Sequence, residues 1–155
     1  MTKAQVLPVS VDEAEEIAAI VRQADIDEIC EGLGLDMVYA LRCCFGGSLK
    51  ASKIVVDGKI VAVFGDSIHD MQMGVGVPWL ISTVHVGSRA RAFLKVCRGE
   101  VEEMLTRHRT LLNFVDARNV KAIRWLRWLG FEFFDPIPYG PKDLDFYPFQ
   151  KIRSE

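Results

Sequence analysis

The stretch KIVVDGKIVAVF, residues 53–64, decides the first half of the fold. Two runs rich in β-branched residues flank the dipeptide Asp57-Gly58, which accepts the positive φ angles of a type I′ turn. Such a turn twists in the same sense as the strands that it joins. The stretch therefore predicts an antiparallel β-hairpin.

The residues before the hairpin predict one strand and two helices. Residues 5–9 can form a short strand, and Ser10 and Glu13 have the spacing of a capping box that opens a helix. The apolar face of this helix consists of Ala14, Ile17, Ala18, Val21 and Ala24. A second helix is predicted to begin after Asp36 and to end at Gly46 and Gly47. Its buried positions are Val38, Leu41 and Phe45.

The residues after the hairpin predict a strand, a helix and a second strand. Residues 79–86 form the first strand, and Ser88 can cap the helix. The helix faces inward through Phe93, Cys97, Val101, Met104 and His108. Residues 111–115 are apolar on both faces, as expected of a central strand covered by helices. This unit predicts a parallel, right-handed crossover.

The last part of the chain predicts a helix and an antiparallel strand pair. Asn119 is expected to cap a helix that ends at Gly130. Its inward positions are Ala122, Ile123, Leu126 and Leu129. Residues 131–134 and 146–150 would pair at an edge of the sheet, where Pro148 is tolerated. The element order predicts the α/β (α+β) class, with a mixed, splayed sheet of six to seven strands and four flanking helices.

The composition is typical of one globular domain. The chain has 155 residues, of which 50% are hydrophobic and 26% are charged, so residues 1–155 are predicted to form a single domain. The four cysteines lack the spacing of a metal site and are predicted to be reduced thiols, with no metal. Because no signal peptide or membrane span is recognisable, we expect a cytoplasmic protein that does not bind membranes.

Positive charge is concentrated in the middle of the chain. The net charge is −2, which argues against nucleic acid as a partner. Between Arg89 and Arg127 the sequence nevertheless has ten Lys or Arg against four Asp or Glu. Part of this charge forms a stripe on the last predicted helix: Lys121, Arg124 and Arg127. The stripe is either a solvated face or a surface for a partner.

The predicted order of elements resembles the GCN5-related N-acyltransferase (GNAT) superfamily over nearly the whole chain. The sharpest local similarity is NVKAIRWLRWLGF, residues 119–131, which resembles the superfamily's Asn, Ala, Tyr and Gly-Phe segment after the fifth strand. The resemblance implies acetyl-CoA or CoA as cofactor, with its phosphates at the N-terminus of the helix after the fourth strand. The cofactor-binding residues that it implies are Val84, Val86, Gly87, Ser88, Arg89, Arg91 and Asn119.

The sequence departs from the superfamily pattern at two places. Residues 90–92 read Ala-Arg-Ala where the later glycines of the phosphate loop are expected, and a Cβ atom can block the close approach that glycine permits. Arg89 and Arg91 could hold phosphate through their side chains, or they belong to an ordinary solvated helical turn. Leu126 occupies the position of the general acid, usually tyrosine, and cannot donate a proton.

The resemblance also places an expected cleft near the ends of the third and fourth strands. The titratable groups nearest to it are the candidates for a catalytic base: His85, Asp66 and His69. A satisfied structural role remains the alternative for each of them.

A narrower resemblance, to the internal virion or assembly proteins of short-tailed bacteriophages, covers residues 78–149. It is carried by Pro78-Trp-Leu, by a helix ending in Met104-Leu and by LNFVDARNVKAIRWLRWLGF, residues 112–131. It implies a phage or prophage origin, a virion association and other phage virion or assembly proteins as partners. The resulting hypothesis is a non-catalytic or weakly catalytic virion-assembly factor. The alternatives are an acyl-CoA-dependent N-acyltransferase and an acyl-CoA-binding module without transfer.

Overall fold

A computed structural model describes residues 3–154, which form one mixed β-sheet flanked by helices. The strands are β1 (Ala4–Pro8), β2 (Lys50–Val56), β3 (Lys59–Asp70), β4 (Val75–Ser82), β5 (Thr110–Asp116), β6 (Glu132–Phe133), β7 (Ile137–Tyr139) and β8 (Leu144–Ile152). The α-helices are α1 (Ala14–Ala18), α2 (Gln23–Ile26), α3 (Met37–Gly47), α4 (Ala90–Arg107) and α5 (Val120–Trp128). One buried cluster includes residues of α4 and α5, and a second includes residues of α1 and α3.

The strand order is β1-β2-β3-β4-β5-β8-β6, with β7 paired to β8. Only β4 and β5 run parallel among the strand pairs of residues 3–154. The predicted mixed, splayed sheet is confirmed. Strand β7 and helix α2 were not predicted, because elements of three and four residues are too short to show a periodicity.

The predicted hairpin is present as β2 and β3. Its turn residues Asp57 and Gly58 have φ angles of 54° and 74°, both in the left-handed region, as a type I′ turn requires. Val56 pairs with Lys59 across the turn, and the register shifts between Ile54 and Val55. The dipeptide Asp57-Gly58 therefore forms the turn that the local sequence predicts.

Strands β4 and β5 pair over a very short distance and then diverge. Their parallel register holds only two pairs, Val75 with Thr110 and Gly76 with Leu111. A Cβ atom on Gly76 would lie 2.4 Å from the ring of His108, so this position needs glycine. Beyond this point the sheet is splayed.

The observed β4 begins four residues before the predicted strand 79–86 and ends at Ser82. The prediction was wrong because Gly76 and Pro78 resemble loop residues in the sequence. The carbonyl oxygen of Pro78 accepts a bond of 2.7 Å from the Asn113 side chain of β5. The missing N–H of Pro78 faces the same gap, where no neighbouring strand needs a donor.

The other differences concern helix ends. Helix α1 ends at Ala18, and Val21 lies in an isolated antiparallel bridge with Thr83 instead of continuing the helix. Ser88 makes no cap bond, since a 3-10 turn, Gly87–Arg89, precedes α4. Asn119 occupies the N-cap position of α5, but its side chain makes no cap bond. The predictions that the side chains of Ser88 and Asn119 cap helices were therefore wrong. The capping box of Ser10 is present.

Candidate functional site

A cavity of about 600 Å³ lies where β4 and β5 diverge. Residues of α3 line it from one face of the sheet, and residues of α4 and α5 line it from the other. Most of its lining is apolar. The lining also contains a group of polar side chains that bond one another: Arg22, Asp25, Glu28, Ser82 and Asn119.

Asp25 is the centre of this polar group. Its Oδ2 accepts the backbone N–H and the hydroxyl of Ser82 at 2.7 and 2.6 Å. Its Oδ1 accepts from Arg22 at 3.0 Å and from the Asn119 amide at 2.8 Å. These four bonds occupy about as many lone-pair positions as a carboxylate has. Asp25 is therefore an anchor that holds Arg22, Ser82 and Asn119 together.

Arg22 connects three parts of the fold. Its Nε donates to the Ser82 hydroxyl at 2.8 Å, and its Nη2 donates to the Asn119 side-chain oxygen at 2.8 Å. Its guanidinium carbon lies 5.2 Å from the centre of the Trp125 ring, within the range of a cation–π contact. The arginine thus joins the segment before α2 to β4 and to α5 across the gap in the sheet.

Glu28 carries the strongest sign of a reactive group in the cavity wall. Burial raises its pKa to about 7; the Asp116 N–H and the Asn119 amide lower it, and the carboxylates of Asp25 and Asp116 raise it further. The two donors both bind Oε1, at 2.9 and 3.3 Å. Within residues 3–154 no donor bonds Oε2. A carboxyl group that titrates near neutral pH beside a cavity is typical of a proton-transfer residue.

The edge of β4 that faces the gap is occupied by the chain itself. The Ser82 carbonyl accepts the backbone N–H of Arg22 at 2.9 Å, and the Val84 N–H donates to the Ile20 carbonyl at 2.8 Å. The Ser82 N–H bonds Asp25, as described above. Residues 20–25 consequently lie along β4 on the side from which β5 has diverged.

The three predicted base residues do not line this cavity. Asp66 is fully buried and bonds Arg107 at 2.7 and 3.0 Å and His108 at 2.7 Å. The bond to Asp66 is the main reason why the pKa of Arg107 is raised. His69 is exposed at the far end of β3, and His85 is half-buried in the loop after β4. A catalytic role for them stays a prediction, and the geometry favours Glu28.

The loop after β4 holds most of the predicted cofactor-binding residues. Val84, Gly87 and Ser88 are exposed, whereas Val86 is buried. Arg89 Nε lies 3.3 Å from Asp57 Oδ2 without hydrogen-bond alignment. Its Nη1 donates to the His85 carbonyl at 3.1 Å. Arg91 is exposed and has no ion pair among residues 3–154.

The cofactor that the resemblance implies would run from this loop into the gap beside β4. On that path the main-chain groups of Ser82 and Val84 that face the gap already bond residues 20–25. Asn119, the predicted cofactor contact in α5, is only 2% exposed and bonds Arg22 and Asp25. In this conformation the residues do not fit coenzyme A.

The chain matches no protein-family model and no curated protein. It is similar in structure to a putative phosphinothricin N-acetyltransferase, at 11% identity over 99% of this chain and 100% of that one, with a TM-score of 0.72. It is also similar to AAC(6')-Ib in complex with paromomycin and acetyl-CoA. The identity is 12% over 97% of this chain and 94% of that one, with a TM-score of 0.70. A third similar structure is a GNAT-family acetyltransferase from Streptococcus pneumoniae. It is 15% identical over 98% of this chain and 100% of that one, with a TM-score of 0.61.

These similarities show the fold. It is the fold of the GNAT-family acetyltransferases, as the sequence predicted. The comparisons give no support to the predicted resemblance to phage virion proteins. In the described part of the chain no helix is both long and apolar enough to cross a membrane. Nor do residues 3–154 contain three or more His, Cys, Asp or Glu grouped to hold a metal ion.

Proposed function

We propose that the chain is an N-acyltransferase that uses an acyl-coenzyme A thioester as donor. The observation that carries this proposal is Glu28, a carboxyl group with a pKa of about 7 in the wall of the cavity where β4 and β5 diverge. The fold, which the chain has in common with N-acetyltransferases, supports the same reaction class. Fold alone does not define an activity, so the argument depends on this carboxyl group.

In this proposal Glu28 is the general base. An amine attacks an acyl group only after it loses its proton, and a base with a pKa near the working pH is best suited to take it. The Asp116 N–H and the Asn119 amide hold Oε1, so Oε2 is the oxygen that receives the proton. The apolar walls of the cavity limit water near the reacting amine and favour an acceptor with an apolar body.

A second candidate function, binding of a small molecule without transfer, is favoured by Leu126. This residue lines the cavity, and the resemblance places the general acid at its position. Leucine has no proton to give, so this chain offers no acid there. The virion-assembly hypothesis depends on sequence resemblance alone and stays a prediction.

The deciding experiment measures the release of free thiol from acetyl-CoA in the presence of a panel of primary amines. We expect turnover that rises with pH through about 7, and a loss of about 10²-fold or more in Glu28→Gln. Glu16→Gln is the matched control, because Glu16 is exposed and remote from the cavity. Turnover that is equal in wild type and in Glu28→Gln would contradict the assignment of the base.

A second readout separates the two candidates. If folded protein releases no thiol but a small amine raises its melting temperature, the binding function replaces the transferase function.

A further inference from the structure

We propose that residues 20–25, called the strap from here on, are an autoinhibitory closure of the donor path along β4. The inference rests on the proposed function, since it concerns how the donor reaches the cavity. In the form described here the strap takes the place of an extended ligand. Donor binding then requires the strap to leave the edge of β4.

The main-chain bonds of residues 20–22, the first half of the strap, are those of a short antiparallel strand. Arg22 N donates to Ser82 O at 2.9 Å, Val84 N donates to Ile20 O at 2.8 Å, and Val21 lies opposite Thr83. An exposed strand edge binds an extended chain through this same kind of pairing. The edge beside the gap is therefore a complete binding edge that the chain fills with its own backbone.

Side chains fasten the strap at its second end. Asp25 bonds both the N–H and the hydroxyl of Ser82, and Arg22 bonds the same hydroxyl and the Asn119 side chain. The fastening thus reaches across the gap from β4 to α5. It blocks the space between the two strands as well as the edge of β4.

The strap contains the first three residues of α2 and lies between two anchored positions, so α2 moves with it while the anchors stay in place. Helix α1 ends at Ala18, before the strap, and its residue Ile17 is fully buried. After the strap, Ile29 is 6% exposed and anchors the chain against the core. Between these anchors the strap meets the β4 edge through hydrogen bonds, and an amide-bearing ligand can take over the two that join main-chain groups. The side chains of Val21 and Asp25 must leave buried positions when the strap moves.

The first test uses Arg22→Pro. Arg22 has a φ angle of −64°, which proline adopts without strain, and the change removes both the main-chain donor and the guanidinium. The matched control is Gln23→Pro, because Gln23 is exposed, is the first residue of α2 and can accept proline. Calorimetric titration with coenzyme A should show binding at least about tenfold tighter in Arg22→Pro than in wild type, with Gln23→Pro equal to wild type.

The closure is wrong if Arg22→Pro, shown to be folded by circular dichroism, binds coenzyme A no more tightly than wild type, including the case in which neither binds. A second measurement covers the case in which the variant does not fold. In wild type at saturating coenzyme A, hydrogen exchange of the Arg22 amide should accelerate about tenfold or more, while the Val84 amide stays protected by a new acceptor. An unchanged Arg22 amide in the complex, or no complex at millimolar coenzyme A, also overturns the closure.

These outcomes separate the closure from the proposed function. Tighter coenzyme A binding in Arg22→Pro without thiol release would uphold the closure and end the transferase proposal. Thiol release that depends on Glu28 but is the same in Arg22→Pro and wild type would uphold the transferase proposal and contradict the closure.

Discussion

Asp25 Oδ2 bonds Ser82 twice, at 2.7 Å from the backbone N–H and at 2.6 Å from the hydroxyl. The two residues are 57 positions apart in the chain and both are buried. This pair fixes the start of α2 to the last residue of β4. The polar wall of the cavity is built on that contact.

Replacement of Asp25 by alanine should therefore lower the free energy of unfolding by about 3 to 5 kcal/mol, because Arg22, Ser82 and Asn119 lose a buried partner together. Asp25→Asn keeps an acceptor for Ser82 and should lose clearly less. Urea unfolding followed by circular dichroism measures both variants. Equal losses would mean that the charge, and not the acceptor, is what the structure needs.

The raised pKa of Glu28 predicts a pH dependence of stability. The folded state holds this proton more tightly than the unfolded state, since the pKa rises from 4.5 to about 7. The free energy of unfolding should thus fall as pH rises from about 4.5 to about 7 and then level off, by up to about 3 kcal/mol. Glu28→Gln should lack this slope and at pH 8 be at least as stable as wild type.

Thermal melts at pH 5, 6, 7 and 8 test this expectation, with Glu16→Gln as the variant that keeps the slope. If the profiles of wild type and Glu28→Gln run parallel, Glu28 does not titrate in this range.

The hairpin turn gives a prediction that concerns the backbone alone. Gly58 has a φ angle of 74°, and no atom lies within 4 Å of the place where its Cβ would be. Gly58→Val should cost about 1 to 2 kcal/mol from the left-handed conformation, with no clash. Gly87 also has open space around it but lacks a positive φ, so Gly87→Val should cost less. Equal melting temperatures for wild type and Gly58→Val would contradict the type I′ turn.

Leu126→Tyr separates catalysis from binding. The side chain lines the cavity, so a phenol has space there and stands where the resemblance places the acid. If the chain is a transferase without an acid, thiol release should rise by about 10²-fold or more. Leu126→Phe adds similar volume without the hydroxyl and should give no increase. An equal rate in the two variants would show that no acid is missing at this position.

The sequence predicted the parts of the fold that depend on neighbours in the chain. Asp57 and Gly58 determine a turn between adjacent strands, and Asp36 caps α3 through a bond to the nearby Tyr39 N–H. The limits of β4 were not predictable in this way. Pro78 is tolerated inside the strand only because its neighbour β5 has already diverged, and that depends on the tertiary structure.

The site was missed for a related reason. Arg22, Asp25 and Glu28 bond residues 57 to 97 positions away, and no local pattern contains such contacts. One signal was available in the sequence. Asp25 and Glu28 follow Val21 at the four- and seven-residue spacing of a buried helical face, where carboxylates are not expected unless they have partners.

The sheet is held together between β4 and β5 by only two residue pairs, so it consists of two parts joined at one narrow place. Strands β1 to β4 form one plate, strands β5 to β8 form another, and the plates meet at a hinge beside Gly76. At the opposite end of the gap the strap works as a tie between the plates. One hydrophobic cluster nevertheless spans both plates, since it contains Val61 and Phe64 of β3 as well as Leu111 of β5 and Phe149 of β8. With the tie released, the plates stay joined through this core, so the two halves of the sheet should still unfold as one cooperative unit.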